Sequence, residues 1–191
     1  MNTKRRIGAT FAALSLVIVT AGLAYAETAT VTVSGGTLSA TVADVPLSSV
    51  TLDGTDQIST SASGSNSLSA QDSRGTGAGW NLTIDSTDFT DGGSPLRTID
   101  ISVVGQEFRI QLLDAKIGVT AGNTQPTSLV TALTTIPTTG VSTLKFTSIA
   151  ADTGMGTYTM APDFELDVAA ETYVGSGTYT ATITVTAGTG S

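Results

Sequence analysis

Neither cysteine nor histidine occurs in this chain. Without cysteine there is no disulfide framework, no thiol nucleophile and no lipoprotein anchor, so stability has to come from packing. Without histidine, the commonest general base near neutral pH and the commonest metal ligand are both missing. Positive charge is scarce too: eight Lys and Arg stand against sixteen Asp and Glu, and Lys4, Arg5 and Arg6 account for three of the eight. Beyond those three the balance is 5 minus 16, or −11. That excess argues against a nucleic-acid partner. It also repels anionic lipid and wall polymers unless cations bridge them.

Long apolar runs are limited to one, from Ile7 to about Leu23. Preceded by the basic residues and followed by Ala24-Tyr25-Ala26, it has the charged, apolar and small-residue order of a secretory signal peptide. The run is barely long enough to cross a bilayer, and the A-x-A ending favours removal. The expected division is therefore 1–26 signal peptide, cleaved after Ala26, and 27–191 a single domain with no membrane span. Its 165 residues (191 minus 26) suffice for one β-sandwich with a genuine core.

What remains is rich in Thr, Ser, Gly, Val and Ala, the usage of strands and tight turns, and helix is nearly excluded. Ala29, Val31 and Val33 alternate with threonines, and Gly35-Gly36 reads as a hairpin turn into Leu38, Ala40 and Val42. A strand through Val50 and Leu52 ends at Asp53-Gly54; the small polar residues 55–66 are a short edge strand plus loop or a connection. Asp91-Gly92-Gly93-Ser94-Pro95 is a turn cluster. Ile99, Ile101 and Val103 form one alternating run and Phe108, Ile110 and Leu112 another, read as neighbouring strands of one sheet. Residues 113–140 are broken by Gly and Pro, with 128–133 a helical turn or short strand. Clean alternation returns at Leu144 and Phe146, at Tyr158 and Met160, at Phe164, Leu166 and Val168, and at Tyr179, Ala181, Ile183 and Val185. The predicted fold is an all-β, antiparallel two-sheet sandwich of about ten strands, Greek-key-like.

One stretch organises the rest: Asp72-Ser-Arg-Gly-Thr-Gly-Ala-Gly-Trp-Asn-Leu-Thr-Ile-Asp85. Gly75, Gly77 and Gly79 permit a tight, bulged entry. Trp80, Leu82 and Ile84 then alternate with Asn81, Thr83 and Asp85 as a half-buried strand. Trp80-Asn81-Leu82 resembles the Trp-x-Leu signature of the WxL domain, a bacterial surface module, and the glycine-rich lead-in is similar to that of many members. Gly177-Thr-Tyr-Thr-Ala-Thr-Ile-Thr-Val-Thr186 resembles the family's second, tyrosine-led motif, which usually reads Tyr, three residues, Leu-Thr-Trp-Thr-Leu. Ile183 stands here for the leucine, Val185 for the tryptophan and Ala187 for the last leucine. The second tryptophan is thus absent from any aromatic site shared between the motifs.

The resemblance spans nearly the whole exported chain. It implies a secreted, non-enzymatic protein of the cell surface or cell wall. Such a module attaches non-covalently, through peptidoglycan, and works with a companion surface protein. No L-P-x-T-G segment with an apolar tail is present, so covalent sortase anchoring is not expected. The rival reading is a structural subunit of a surface filament or coat, self-associating by exchange of the Thr28–Val33 segment. A third is a Ca²⁺-dependent adhesin.

Trp80, Asn81, Leu82, Tyr173 and Tyr179 are the candidate binding residues. An indole suits sugar stacking, yet Trp80 shares phase with Leu82 and Ile84, which favours a core anchor with binding done by the surrounding loops. Tyr179 is in phase with Ile183 and Val185, favouring a packed ring with its hydroxyl on nearby backbone. Tyr173, beside Gly175 and Gly177, is the better candidate for an exposed contact. The acidic row Asp163, Glu165 and Asp167 has the spacing for a glycosidase pair or Ca²⁺ but reads first as a solvated edge that blocks strand addition. Asp85, Asp88 and Asp91 lack the Asp-x-Asp-x-Asp-Gly spacing and read as turn caps. Ser142-Thr-Leu-Lys145 fits S-x-x-K without its helix or partner motifs, and Gly75–Gly79 precedes a strand, not a helix. No catalytic residue, metal ligand or cofactor is expected. Asn81-Leu-Thr83 fits the N-glycosylation pattern, which its strand position argues against.

Overall fold

The computed structural model describes residues 29–191 apart from 123 and 176. The expected signal peptide, 1–26, lies outside the described residues. One compact unit runs from Ser34 to Ser191.

That unit is all-β. Fourteen strands follow in order: β1 (Leu38–Val42), β2 (Gln57–Thr60), β3 (Leu68–Asp72), β4 (Trp80–Ser86), β5 (Phe89–Thr90), β6 (Thr98–Ile99), β7 (Phe108–Gln111), β8 (Ile117–Gly122), β9 (Thr127–Ser128), β10 (Thr134–Thr135), β11 (Leu144–Ile149), β12 (Gly156–Met160), β13 (Asp163–Val168) and β14 (Ile183–Thr189). All ladders between them are antiparallel, in the orders β1-β3-β12-β8, β10-β7-β13-β2 and β14-β4-β11-β9, with β5-β6 as a separate pair. The edge strands β1 and β14 lie side by side. The excess over about ten strands comes from β5, β6, β9 and β10, each two residues long and too short to show a period.

Alternation builds the core. Trp80, Leu82 and Ile84 of β4, Phe108 and Ile110 of β7, and Phe164, Leu166 and Val168 of β13 are buried, while residues between them are less so. Phe108 stacks on Phe164 at 5.6 Å and takes the edge of Phe89 at 5.1 Å. Each such ring contributes about 2–3 kcal/mol by leaving water.

Three sequence expectations need correction. No strand runs through Val50 and Leu52; after β1 the next strand is β2. The predicted N-terminal hairpin does not form: residues 29–33 carry no strand, Val31 and Val33 are exposed, and β1 pairs with β3. Gly35 and Gly36 serve a different purpose, close backbone approach. A Cβ on Gly35 would fall 2.1 Å from the Arg74 carbonyl oxygen, and the Gly36 N–H donates to Ser73 O at 2.8 Å. Nor are the runs at 99–103 and 108–112 neighbouring strands. β6 stops at Ile99 because Asp100 accepts from the Ser102 N–H and hydroxyl, and the Gln106 side chain accepts from the Asp100 N–H, curling 100–106 into a turn. β7 pairs instead with β13 and β10. Within 55–66, by contrast, β2 is an ordered strand paired to β13.

Candidate functional site

The glycine-rich entry to β4 is held by one arginine. Arg74 grips the Asp72 carboxylate through Nε and Nη2, both at 2.9 Å. It also donates to Gly79 O and to Thr189 Oγ1, both at 2.7 Å, tying the two ends of the loop to β14. Gly75, Gly77 and Gly79 all have positive φ, and at Gly79 a Cβ would lie 2.7 Å from Ile149 O. The Arg74 hydrogen bond, against the opposing effect of burial, holds the Asp72 carboxyl below the usual carboxylate range. The Asp-Ser-Arg tripeptide carried this signal, but a short-range ion pair has no periodicity to betray it.

Beyond that loop Trp80 is fully buried, its Nε1–H donating to Gly154 O at 2.8 Å and its ring 5.3 Å from that of Tyr158. Leu82 is equally buried, and half-buried Asn81 turns to Gly190 O at 2.7 Å. The two sequence motifs are thereby adjacent: β14 pairs with β4, setting Val185 opposite Ile84 and Ala187 opposite Leu82. As placed, the signature side chains meet core and backbone.

Tyr173 and Tyr179 occupy a different region, and there the structure brings them together. The Tyr179 hydroxyl donates to Tyr173 O at 2.9 Å, and both rings line a cleft of about 830 Å³. The floor of the cleft is Phe89, Ile99, Phe108, Leu166 and Val168. One wall is the segment 42–50; the other is 177–183, leading into β14. Tyr173 is 69% exposed, and the Arg97 guanidinium carbon sits 4.5 Å from its ring centroid, a cation–π contact that fixes the ring at the rim. Exposed Val174 extends this rim. Arg97 in turn is placed by the turn cluster, whose Asp91 Oδ1 accepts from the backbone N–H groups of Gly93 and Arg97 at 3.0 Å each. Burial, with Asp91 nearby, pushes the Tyr179 hydroxyl upward, so it remains a neutral donor. Arg97 and the cleft were missed in the sequence because their parts come from several separate segments, with Arg97 and Tyr173 themselves 76 residues apart (173 minus 97).

The acidic row on β13 is engaged rather than free. Asp163 pairs with Lys116, and Arg109 serves both Glu165, at 3.4 Å, and Asp167. Asp85 accepts from the Thr139 hydroxyl and Asp88 from the Ile101 N–H. Among the described residues no group of three or more Asp and Glu side chains is arranged to hold a metal ion. No helix there is long and apolar enough to cross a membrane.

The described domain is thus an antiparallel β-sandwich carrying an apolar, aromatic-rimmed cleft. The sequence model of the WxL family, described as a surface cell wall-binding domain, matches residues 13–186. The chain belongs to the WxL family, and hence to a class of cell-surface, cell wall-binding domains that is not an enzyme family. No curated protein and no solved structure matches it.

Proposed function

We propose that this protein is a secreted, non-enzymatic module that attaches non-covalently to peptidoglycan, and that the Tyr173–Arg97 rim of the cleft makes the contact. The observation that carries this is a largely exposed tyrosine ring held in place by a guanidinium. A flat ring with little freedom left to lose stacks on sugar or peptide at low entropic cost. Family membership supports the wall as the partner. Trp80 acts on binding through the fold, and Asn81 and Leu82 do the same from neighbouring positions. The mature chain begins at Glu27, and a companion surface protein sharing the wall is the further expected partner.

The test is sedimentation of residues 27–191 with purified insoluble cell wall. Tyr173→Ala and Arg97→Ala should each release protein to the supernatant while leaving the melting temperature in place. Full pelleting by the double variant would show that the rim is not the contact.

A further inference from the structure

The cleft has the form of a slot missing a strand. On its 177–183 wall, Thr180 exchanges two backbone hydrogen bonds with Thr90, both 2.9 Å, and Thr182 O accepts from the Thr87 N–H at 3.0 Å. Residues 180 and 182 therefore direct their backbone groups toward β4 and β5. By strand alternation the N–H and C=O of Tyr179 and Ala181 point the other way, to the cleft side, and no described residue takes them up. The apolar residues along both walls, Val45 and Leu47 on one and Ala181 and Ile183 on the other, pack on the core yet stay only partly buried. A backbone edge beside an apolar floor is what β-strand addition uses.

The same chain carries a segment of matching pattern. Ala29, Val31 and Val33 alternate with Thr30 and Thr32. Val31 is 85% exposed and Val33 86%, and residues 29–33 carry no strand. Successive apolar side chains on one face of such a strand stand about 7 Å apart, small enough and close enough to settle side by side on the phenylalanine floor. We infer that Ala29–Val33 of a second copy enters this cleft and pairs with the Tyr179–Ile183 edge.

Reach favours a second copy over the chain's own segment. The Gly36 N–H fixes the start of the sandwich at Ser73, at the far end of β1 from the cleft, whose wall begins at Val42. The path from Ser34 to Val42 is about 26 Å of extended chain, whereas five residues extend only about 17 Å. A segment folded back along its own β1 stops short of the slot. Reciprocal exchange between two copies closes into a dimer, and head-to-tail exchange extends into longer chains. The contact uses the cleft interior, leaving the outer face of Tyr173 at the rim for the wall.

Sedimentation velocity on the mature chain tests this, using three samples. Wild type should form species larger than monomer as concentration rises. Val31→Asp/Val33→Asp, whose changes lie outside the sandwich, should be monomeric with an unchanged melting temperature. Ala181→Pro, which removes the edge N–H and blocks strand addition, should also be monomeric; if it unfolds, Val50→Asp on the opposite wall replaces it. Mixing donor-dead and acceptor-dead proteins should restore a heterodimer and nothing larger, because one intact segment then meets one intact slot. The inference is overturned by a wild type that stays monomeric to about 100 µM, a strength typical of weak self-association. Self-association of the donor variant at wild-type level, or a mixture that remains monomeric, overturns it equally.

Discussion

Replacing Trp80 by alanine tests whether the residue that defines the signature holds the fold or touches the partner. The side chain is fully buried, so the change leaves a cavity in a core where Trp→Ala costs about 3–5 kcal/mol. It also strips Gly154 O of the indole N–H it accepts at 2.8 Å, adding about 1 kcal/mol. The sum, about 4–6 kcal/mol, approaches the whole of an ordinary domain's 5–15 kcal/mol. For a sandwich of this size it corresponds to a fall in melting temperature of about 10–20 °C. Trp80→Phe keeps an aromatic ring beside Tyr158 and should lose only about 2 kcal/mol. Urea titration followed by far-UV circular dichroism separates the three proteins, and wall sedimentation below the transition reports binding by the folded fraction. A Trp80→Ala protein as stable as wild type would refute the core assignment. So would one that is fully folded yet no longer pellets with the wall, since only a contact residue behaves that way.

The Gly79 and Gly75 positions should respond differently to alanine. Gly79→Ala meets backbone at 2.7 Å and should lose about 3 kcal/mol or more, whereas Gly75→Ala, with open space around it, should lose only the left-handed backbone preference of about 1 kcal/mol, both read from urea midpoints. Asp72, whose folded carboxyl is held below its unfolded range, contributes stability that is present above pH ~4 and lost as pH falls through the depressed folded value. Asp72→Asn should therefore cost about 2 kcal/mol at neutral pH and flatten the acid limb of a melting-temperature profile; an unchanged acid limb would remove the Arg74 clasp from the account. Arg109→Ala, which leaves Glu165 and Asp167 unpaired side by side on β13, should lower the melting temperature more at low salt than at high salt.

Legibility followed periodicity. β4, β7, β13 and the Ile183–Thr186 part of β14 were readable because apolar residues recur every second position, and burial on one face enforces that pattern. The N-terminal hairpin failed for an instructive reason. Thr and Val alternate over 28–33 as they would in a paired strand, and Gly35-Gly36 mimics a turn, but pattern alone cannot say whether a partner is at hand. Tyr179 lies ahead of β14 rather than within it, because its segment bridges to Thr90 across only one pair before the ladder becomes continuous at Ile183. At the candidate site, Tyr173 and Tyr179 could be named from aromatic character and flanking glycines. Their meeting with Arg97 is a product of topology, and no local spacing encodes it.

The pairing of β4 with β14 also sets a timetable. Residues about a hundred positions apart (80–86 and 183–189) must find each other before the central ladder is complete. Contacts of such sequence separation slow folding, since loop closure comes before the reward of strand pairing. Until residues 183–189 arrive, the strand bearing Trp80 has one bare edge, and the Arg74 clasp lacks its Thr189 end. A chain that emerges N-terminus first thus stays pliable for most of its appearance and locks late. Removing the last strand should yield an aggregating, protease-sensitive product rather than a slightly shorter domain.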